Sequence, residues 1–180
     1  VNSEIRKKIK KIKKVNKVLD IKKQNNIIKK LDFSLTNDQI KTINEINKDL
    51  SSSNKMFRLL QGDVGSGKTI VSLLSAYNSI NSGFQVAVMA PTEILARQHY
   101  TLAKNIFPKN LKVEIISGKS DYKNKKIILN KLLNHEIDII FGTHAIFQKK
   151  VNFKNLGLII IDEQHKFGVN QRKKLSDKGG

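Results

Sequence analysis

The sequence predicts an α/β fold, a mostly parallel sheet with helices on both faces, and three observations carry that prediction. Five short apolar runs, at 56–60, 86–90, 113–116, 137–141 and 158–161, are separated by stretches of helical length and period. Strands apolar on both faces, alternating with helices, belong to a sheet buried on both sides. A glycine-rich octapeptide follows the first run, and the last run ends in two adjacent carboxylates, Asp162 and Glu163.

The elements follow in chain order. Ile5, Ile9, Ile12 and Leu19 recur at helical spacing among Lys7, Lys8, Lys10, Lys11, Lys13 and Lys14, so residues 1–30 are expected to form a basic amphipathic linker or packing helix. A polar break at Gln24-Asn25-Asn26 precedes the boundary, placed near Leu31, and residues 31–180 form the second unit. Asn37 or Thr36 can cap a helix carrying Ile40, Ile43, Ile46 and Leu50 on one face. Ser51 to Asn54 is a loop before the first strand, Met56 to Leu60. A helix is expected over Ile70 to Ile80, and the remaining runs supply four more strands.

Composition narrows the class. The chain has 180 residues, 39% of them hydrophobic, enough for a real core. It has no cysteine, which excludes a disulfide framework, a thiolate metal cluster and a Cys nucleophile in this stretch and fits the cytoplasm. The longest apolar run, Leu156 to Ile161, is far too short to span a membrane. The start at Val1 and the end at Gly179-Gly180 read as those of a fragment. The net charge of +19 invites a nucleic-acid partner, but 30 Lys, 24 Ile and 18 Asn together match A/T-rich coding, and only four basic residues are Arg. Residues 1–30 carry 12 basic and two acidic residues, leaving a net +9 for the other 150.

Gly62-Asp63-Val64-Gly65-Ser66-Gly67-Lys68-Thr69 is a complete G-x-x-x-x-G-K-T phosphate loop between a strand and a helix. Its glycines let backbone N–H groups curl around an anion, and the helix N-terminus adds a favourable dipole. Lys68 would reach the β- and γ-phosphates, and the Thr69 hydroxyl would ligate Mg²⁺. Asp162, at the end of the last strand, would hold the same Mg²⁺ shell, and Glu163 would orient or deprotonate the attacking water. The expectation is an ATPase core using ATP and Mg²⁺. Other templates fail: Ser66 lacks the outer glycines of a nucleophile elbow, Ile70 replaces the last glycine of a dinucleotide motif, and His99, His144 and His165 lack zinc-site spacing. His135, at a polar helix end, is read as surface.

Asp162-Glu163-Gln164-His165 is a DExH-type box, and here the chain resembles the superfamily 2 helicases, which implies a RecA-like domain. Within them the likeness is strongest to the bacterial ATP-dependent DNA helicases that remodel branched DNA. It covers about residues 31–180, with several motifs in the family's order. Leu35-Thr36-Asn37-Asp38-Gln39 resembles the adenine-recognition segment, which implies that Gln39 bonds the adenine edge and that Phe33 stacks on the ring. Met89 to His99, Ser117-Gly118-Lys119 and Gly142 to Phe147 resemble the DNA-side motifs. Their contact candidates are Pro91, Thr92, Ser117, Gly118, Gly142, Thr143 and His144. Read as chemistry, these Pro, Thr and Gly segments follow strand ends at the carboxyl edge of a parallel sheet, and their hydroxyl and N–H groups suit phosphate. The resemblance further implies that His165 couples the nucleotide site to the DNA side.

The same resemblance implies ATP-driven movement on duplex DNA that unwinds stalled forks and Holliday junctions in recombination and repair. It implies a second helicase lobe with an arginine finger and a wedge domain as partners, so this segment alone is expected to bind nucleotide weakly and hydrolyse it very slowly. The family usually has Pro where Asp32 stands and commonly an acid where Arg97 stands; neither touches the proposed chemistry. Transcription-repair coupling factors usually carry an aromatic residue at the Ser66 position and a second Glu at the Gln164 position, and they remain the alternative. The primosomal helicases match less of the chain, and an RNA helicase is a more distant alternative.

Overall fold

The computed structural model describes residues 7, 27–29, 37–41, 44–45, 56–60, 66–119 and 121–162. In chain order these hold strand β1 (Met56–Leu60), helix α1 (Ser66–Asn81), β2 (Gln85–Met89), α2 (Glu93–Ile106), β3 (Val113–Ile115), α3 (Tyr122–Leu133), β4 (Ile139–Gly142), a 3₁₀ turn (His144–Phe147) and β5 (Leu156–Asp162). The five strands form one sheet in the order β1-β5-β2-β4-β3, and every pairing is parallel. The α/β expectation is met.

Side-chain alternation along the strands sorts the core into two layers. Val86, Val88, Ile139, Phe141, Leu158 and Ile160 point to the face covered by α1 and α2. Ala87, Met89, Ile140, Ile159 and Ile161 point to the other face, against α3 and the 3₁₀ turn. The alternation is reset once. Gln85 pairs with Leu156 but Val86 pairs with Leu158, leaving Gly157 as an extra residue on β5. A Cβ at Gly157 would lie 2.5 Å from the Phe84 ring, so only glycine lets that ring close over the strand. From Leu158 onward, even-numbered residues of β5 face α1 and α2, which sends Asp162 to that side.

Helix α2 keeps a buried stripe of Ala96, His99, Ala103 and Ile106 toward the sheet. Its rotation is held by an edge-on contact between Tyr100 and Phe141 at 6.2 Å, and Phe107 stacks on Tyr77 of α1 at 5.7 Å. At the other end of the sheet, Gln85 Nε2 donates to the carbonyls of Leu132 and Ile137, each at 2.9 Å. β4 begins at Ile139 rather than at the expected Ile137, whose carbonyl is taken by the Gln85 side chain, while the Asp138 backbone bonds to Val86 and Lys112 on either side. β5 runs longer than the expected 158–161 because Leu156 and Asp162 both find partners, Gln85 and Leu60. α1 starts at Ser66, earlier than the expected Ile70.

Of the expected N-terminal helix, only residues 7 and 27–29 lie within the described residues. Residues 27–29 are helical, and Ile27, 1% exposed, belongs to the apolar cluster built on α1. Residues 37–41 and 44–45 are helical too. No described helix is long and apolar enough to cross a membrane.

Candidate functional site

The carboxyl edge of a parallel sheet is where loops from several strands converge. β1 and β5 are hydrogen-bonded neighbours, and their last paired residues are Leu60 and Asp162. β1 therefore ends beside Asp162, and the next described residues are the first turn of α1. Ser66, Gly67, Lys68 and Thr69 form that turn, whose backbone N–H groups have no partner earlier in the helix. The first helical turn, with Gly67, and the strand-end carboxylate are thereby gathered at one end of the sheet.

Within this end, Thr69 and Asp162 are buried, 5% and 2% exposed. The Thr69 Oγ1 has no hydrogen-bond partner among the described residues, an uncommon state for a buried hydroxyl that suits a ligand supplied from outside. Asp162 Oδ2 lies 2.6 Å from His99 Nε2. A carboxylate only accepts, so the imidazole donates from Nε2. Thr69 and His99 also line a common cavity of about 10 Å³, with Ser72, Leu73, Val88 and Ile160. A buried carboxylate and a buried, unpaired hydroxyl are hard oxygen donors, the kind Mg²⁺ takes alongside phosphate oxygens.

A second cluster occupies the neighbouring strand ends. Thr92 caps α2, its Oγ1 accepting from the Leu95 amide at 3.2 Å, which leaves the hydroxyl proton to donate outward. Glu93 reaches across to the segment after β3, where its carboxylate accepts from the Gly118 amide and, at 3.4 Å, from the Ser117 hydroxyl. Two donors expected to face DNA phosphate thus face a carboxylate in this structure. A Cβ on Gly118 would meet Glu93 Oε1 at 2.7 Å, so the glycine permits the approach. Gly142 ends β4 with no room for a Cβ: Ile146 Cγ2 would lie at 2.6 Å and the Ile116 carbonyl at 3.2 Å. Thr143 caps the 3₁₀ turn without a side-chain hydrogen bond, His144 is exposed, and Pro91 is half-buried.

The structure thus brings Ser66, Gly67, Lys68, Thr69 and Asp162 to one sheet end. Pro91, Thr92, Ser117, Gly118, Gly142, Thr143 and His144 follow the carboxyl ends of β2, β3 and β4. Gln39 lies on the helical backbone of 37–41, half-buried. Phe33, Gly62, Asp63, Val64, Gly65, Glu163 and His165 lie outside the described residues. Sequence reasoning passed over His99 and Glu93. His99 had a signal, because a histidine on the inward stripe Ala96, His99, Ala103, Ile106 must find a buried partner.

The DEAD/DEAH box helicase family model matches residues 36–178. The chain belongs to that family. It is 51% identical over 154 residues to a protein named ATP-dependent DNA helicase RecG from Borreliella burgdorferi, covering 85% of this chain and 22% of that protein. The namesake from Thermotoga maritima is 47% identical over 177 residues, covering 98% of this chain and 23% of the relative. The one from Bacillus subtilis is 51% identical over 153 residues, or 84% and 22%. A solved structure of RecG bound to a three-way DNA junction superposes with a TM-score of 0.78 at 45% identity, covering 92% of this chain and 23% of that one. A hypothetical ATP-dependent RNA helicase from Sulfolobus tokodaii, 20% identical with a TM-score of 0.55 over 87% of this chain and 54% of its own, shares the fold. The chain spans less than a quarter of the length of the curated relatives it matches. The likeness to bacterial RecG helicases read from the motifs is borne out.

Proposed function

We propose that this chain is the ATP-binding lobe of an ATP-dependent DNA helicase that remodels branched DNA, including stalled forks and Holliday junctions, in recombination and repair. The observation that carries the reading is the Leu60–Asp162 pairing, which sets the strand feeding the phosphate loop beside the strand ending in the DExH carboxylate. The relatives named RecG, and the one bound to a three-way junction, support branched DNA as the substrate.

In this reading Gly62 to Gly67 wrap the phosphates with backbone N–H groups, and Lys68 neutralises the β- and γ-oxygens. Thr69 and Asp162 would hold Mg²⁺, which when bound would offset the phosphate charge. Glu163 orients the attacking water, His165 relays the nucleotide state to the DNA side, and Phe33 with Gln39 selects adenine. Pro91, Thr92, Ser117, Gly118, Gly142, Thr143 and His144 meet the DNA backbone, where contacts carry register but no sequence information. Residues 31–180 are the lobe and residues 1–30 lead into it from a wedge domain. A second lobe closes on the nucleotide, in the cytoplasm of a bacterium.

The test is ATP hydrolysis by the full-length protein with no DNA, linear duplex or a synthetic fork, with Glu163→Gln as control. Fork stimulation that disappears in the variant is expected. Equal stimulation by linear duplex would move the assignment to a coupling-factor-type translocase, and stimulation by RNA duplex alone would overturn DNA as the substrate.

A further inference from the structure

We propose that His99 is a positioning residue: it aims the Asp162 carboxylate at the metal site and ties that carboxylate to the helix whose N-terminus lies on the DNA side. This rests on the assignment of Asp162 to the Mg²⁺ shell and adds a second link between the two sites, independent of the DExH box.

Four observations lead there. His99 is 3% exposed, and its Nε2 lies 2.6 Å from Asp162 Oδ2, so the bond forms away from competing water. One oxygen held from α2 restricts rotation of the carboxyl group about its terminal torsion, which is otherwise broad. Second, His99 sits seven residues after the Thr92 cap on an uninterrupted helix, about 10 Å along its axis. Third, α2 is wedged by Ala96, Ala103, Ile106 and the Tyr100–Phe141 contact, so a displacement of its N-terminus carries His99 with it. Fourth, His99 shares a cavity with Thr69, whose buried Oγ1 has no hydrogen-bond partner among the described residues. A histidine serving only to satisfy the core would bond anywhere; this one bonds the side chain that ends β5 at the phosphate loop.

The consequence is reciprocal. DNA pulling on Pro91 and Thr92 shifts the Asp162 carboxylate through one rigid helix, and metal seating on Asp162 biases α2 in return. Partners that orient a metal ligand are commonly worth 10- to 100-fold in metal affinity.

The experiment uses the full-length protein and reads binding of a fluorescent ATP analogue across a Mg²⁺ titration, together with the ratio of ATPase rates with and without duplex DNA. His99→Leu removes the donor. It is expected to raise the Mg²⁺ concentration for half-maximal binding by about tenfold, lower the DNA stimulation ratio, and leave metal-free nucleotide binding within about twofold. His99→Gln and His99→Asn guard against a folding defect. The Gln amide nitrogen reaches the Nε2 position and should restore the Mg²⁺ dependence, whereas Asn reaches only the Nδ1 position and should not. Gln and Asn variants with equal Mg²⁺ dependence, or a Leu variant unchanged in both readouts, would overturn the inference. Asp162→Asn separates the two layers: if it leaves the Mg²⁺ dependence untouched, the metal assignment itself is wrong.

Discussion

At the amino end of the sheet, Gln85 is buried and uses both amide hydrogens on the Leu132 and Ile137 carbonyls, while its Oε1 accepts from the Asn155 amide at 2.9 Å. Asn155 in turn donates to the Gly83 carbonyl at 2.8 Å. At the carboxyl end, Thr69 Oγ1 is equally buried and has no partner among the described residues. Both clusters lie in low dielectric, where a polar group costs free energy unless paired. The amino-end cluster is complete and joins β2, α3 and β5. The carboxyl-end cluster is complete only when something enters it. Polar satisfaction separates the Gln85 cluster, which ties strands and helix together, from the Thr69 hydroxyl at the opposite end, although Ser79 Oγ and Asn81 Nδ2 at the end of α1 are also buried without a partner among the described residues.

The largest effect expected on stability is at the complete end. Gln85→Leu strands the Ile137 carbonyl and the Asn155 amide, while the Leu132 carbonyl keeps its bonds from His135 and Lys154, so amides of β2 and β5 should lose about 3 kcal/mol of protection in hydrogen exchange. Nucleotide affinity should stay unchanged, and a matching loss of affinity would mean the two ends are not separate. At the incomplete end, Thr69→Val removes a hydroxyl that makes no hydrogen bond among the described residues. Protection of α1 should be neutral or rise by about 1 kcal/mol, while Mg²⁺-dependent hydrolysis falls about 10²-fold, roughly 2.7 kcal/mol of barrier. Loss of stability in that variant would break the comparison, because the hydroxyl would then have an internal partner. The smallest effect sharpens it at the second cluster. Glu93→Gln keeps an acceptor for the Gly118 amide and removes a charge beside the expected phosphate track. DNA affinity in a low-salt titration should rise about two- to threefold and the gain should fade at high salt; weaker binding would show that the carboxylate orders the segment for DNA rather than competing with it.

Much of this was legible beforehand because it is local. The phosphate loop, its flanking strand and helix, and the carboxylate ending an apolar run are patterns within about ten residues, and β1, β2, β3 and α1 appear where the periodicity puts them, within a few residues. What could not be read is set by tertiary pairing. The order of the strands, the bulge at Gly157 and the bond between His99 and Asp162, 63 positions apart, depend on which faces meet. His99 illustrates the loss. Its spacing to other histidines excludes a zinc pattern, yet its place on a buried stripe already demanded a partner, and only the sheet order identifies that partner as Asp162. Glu93 gave less warning, since an acid in the first turn of a helix is favoured by the helix dipole whatever else it does.

The strand order has a consequence for biosynthesis. Among the described strands β5 comes last in sequence but lies between β1 and β2, and it is the neighbour of β1 in the order β1-β5-β2-β4-β3. Until residues 156–162 leave the ribosome, the strand that feeds the phosphate loop has no partner among the described strands, and β2, β4 and β3 must wait or assemble without it. The strand that joins β1 to the other described strands is the same one that delivers Asp162. A nascent chain that has not yet placed β5 therefore lacks the neighbour of β1 and the carboxylate together: one docking event supplies both.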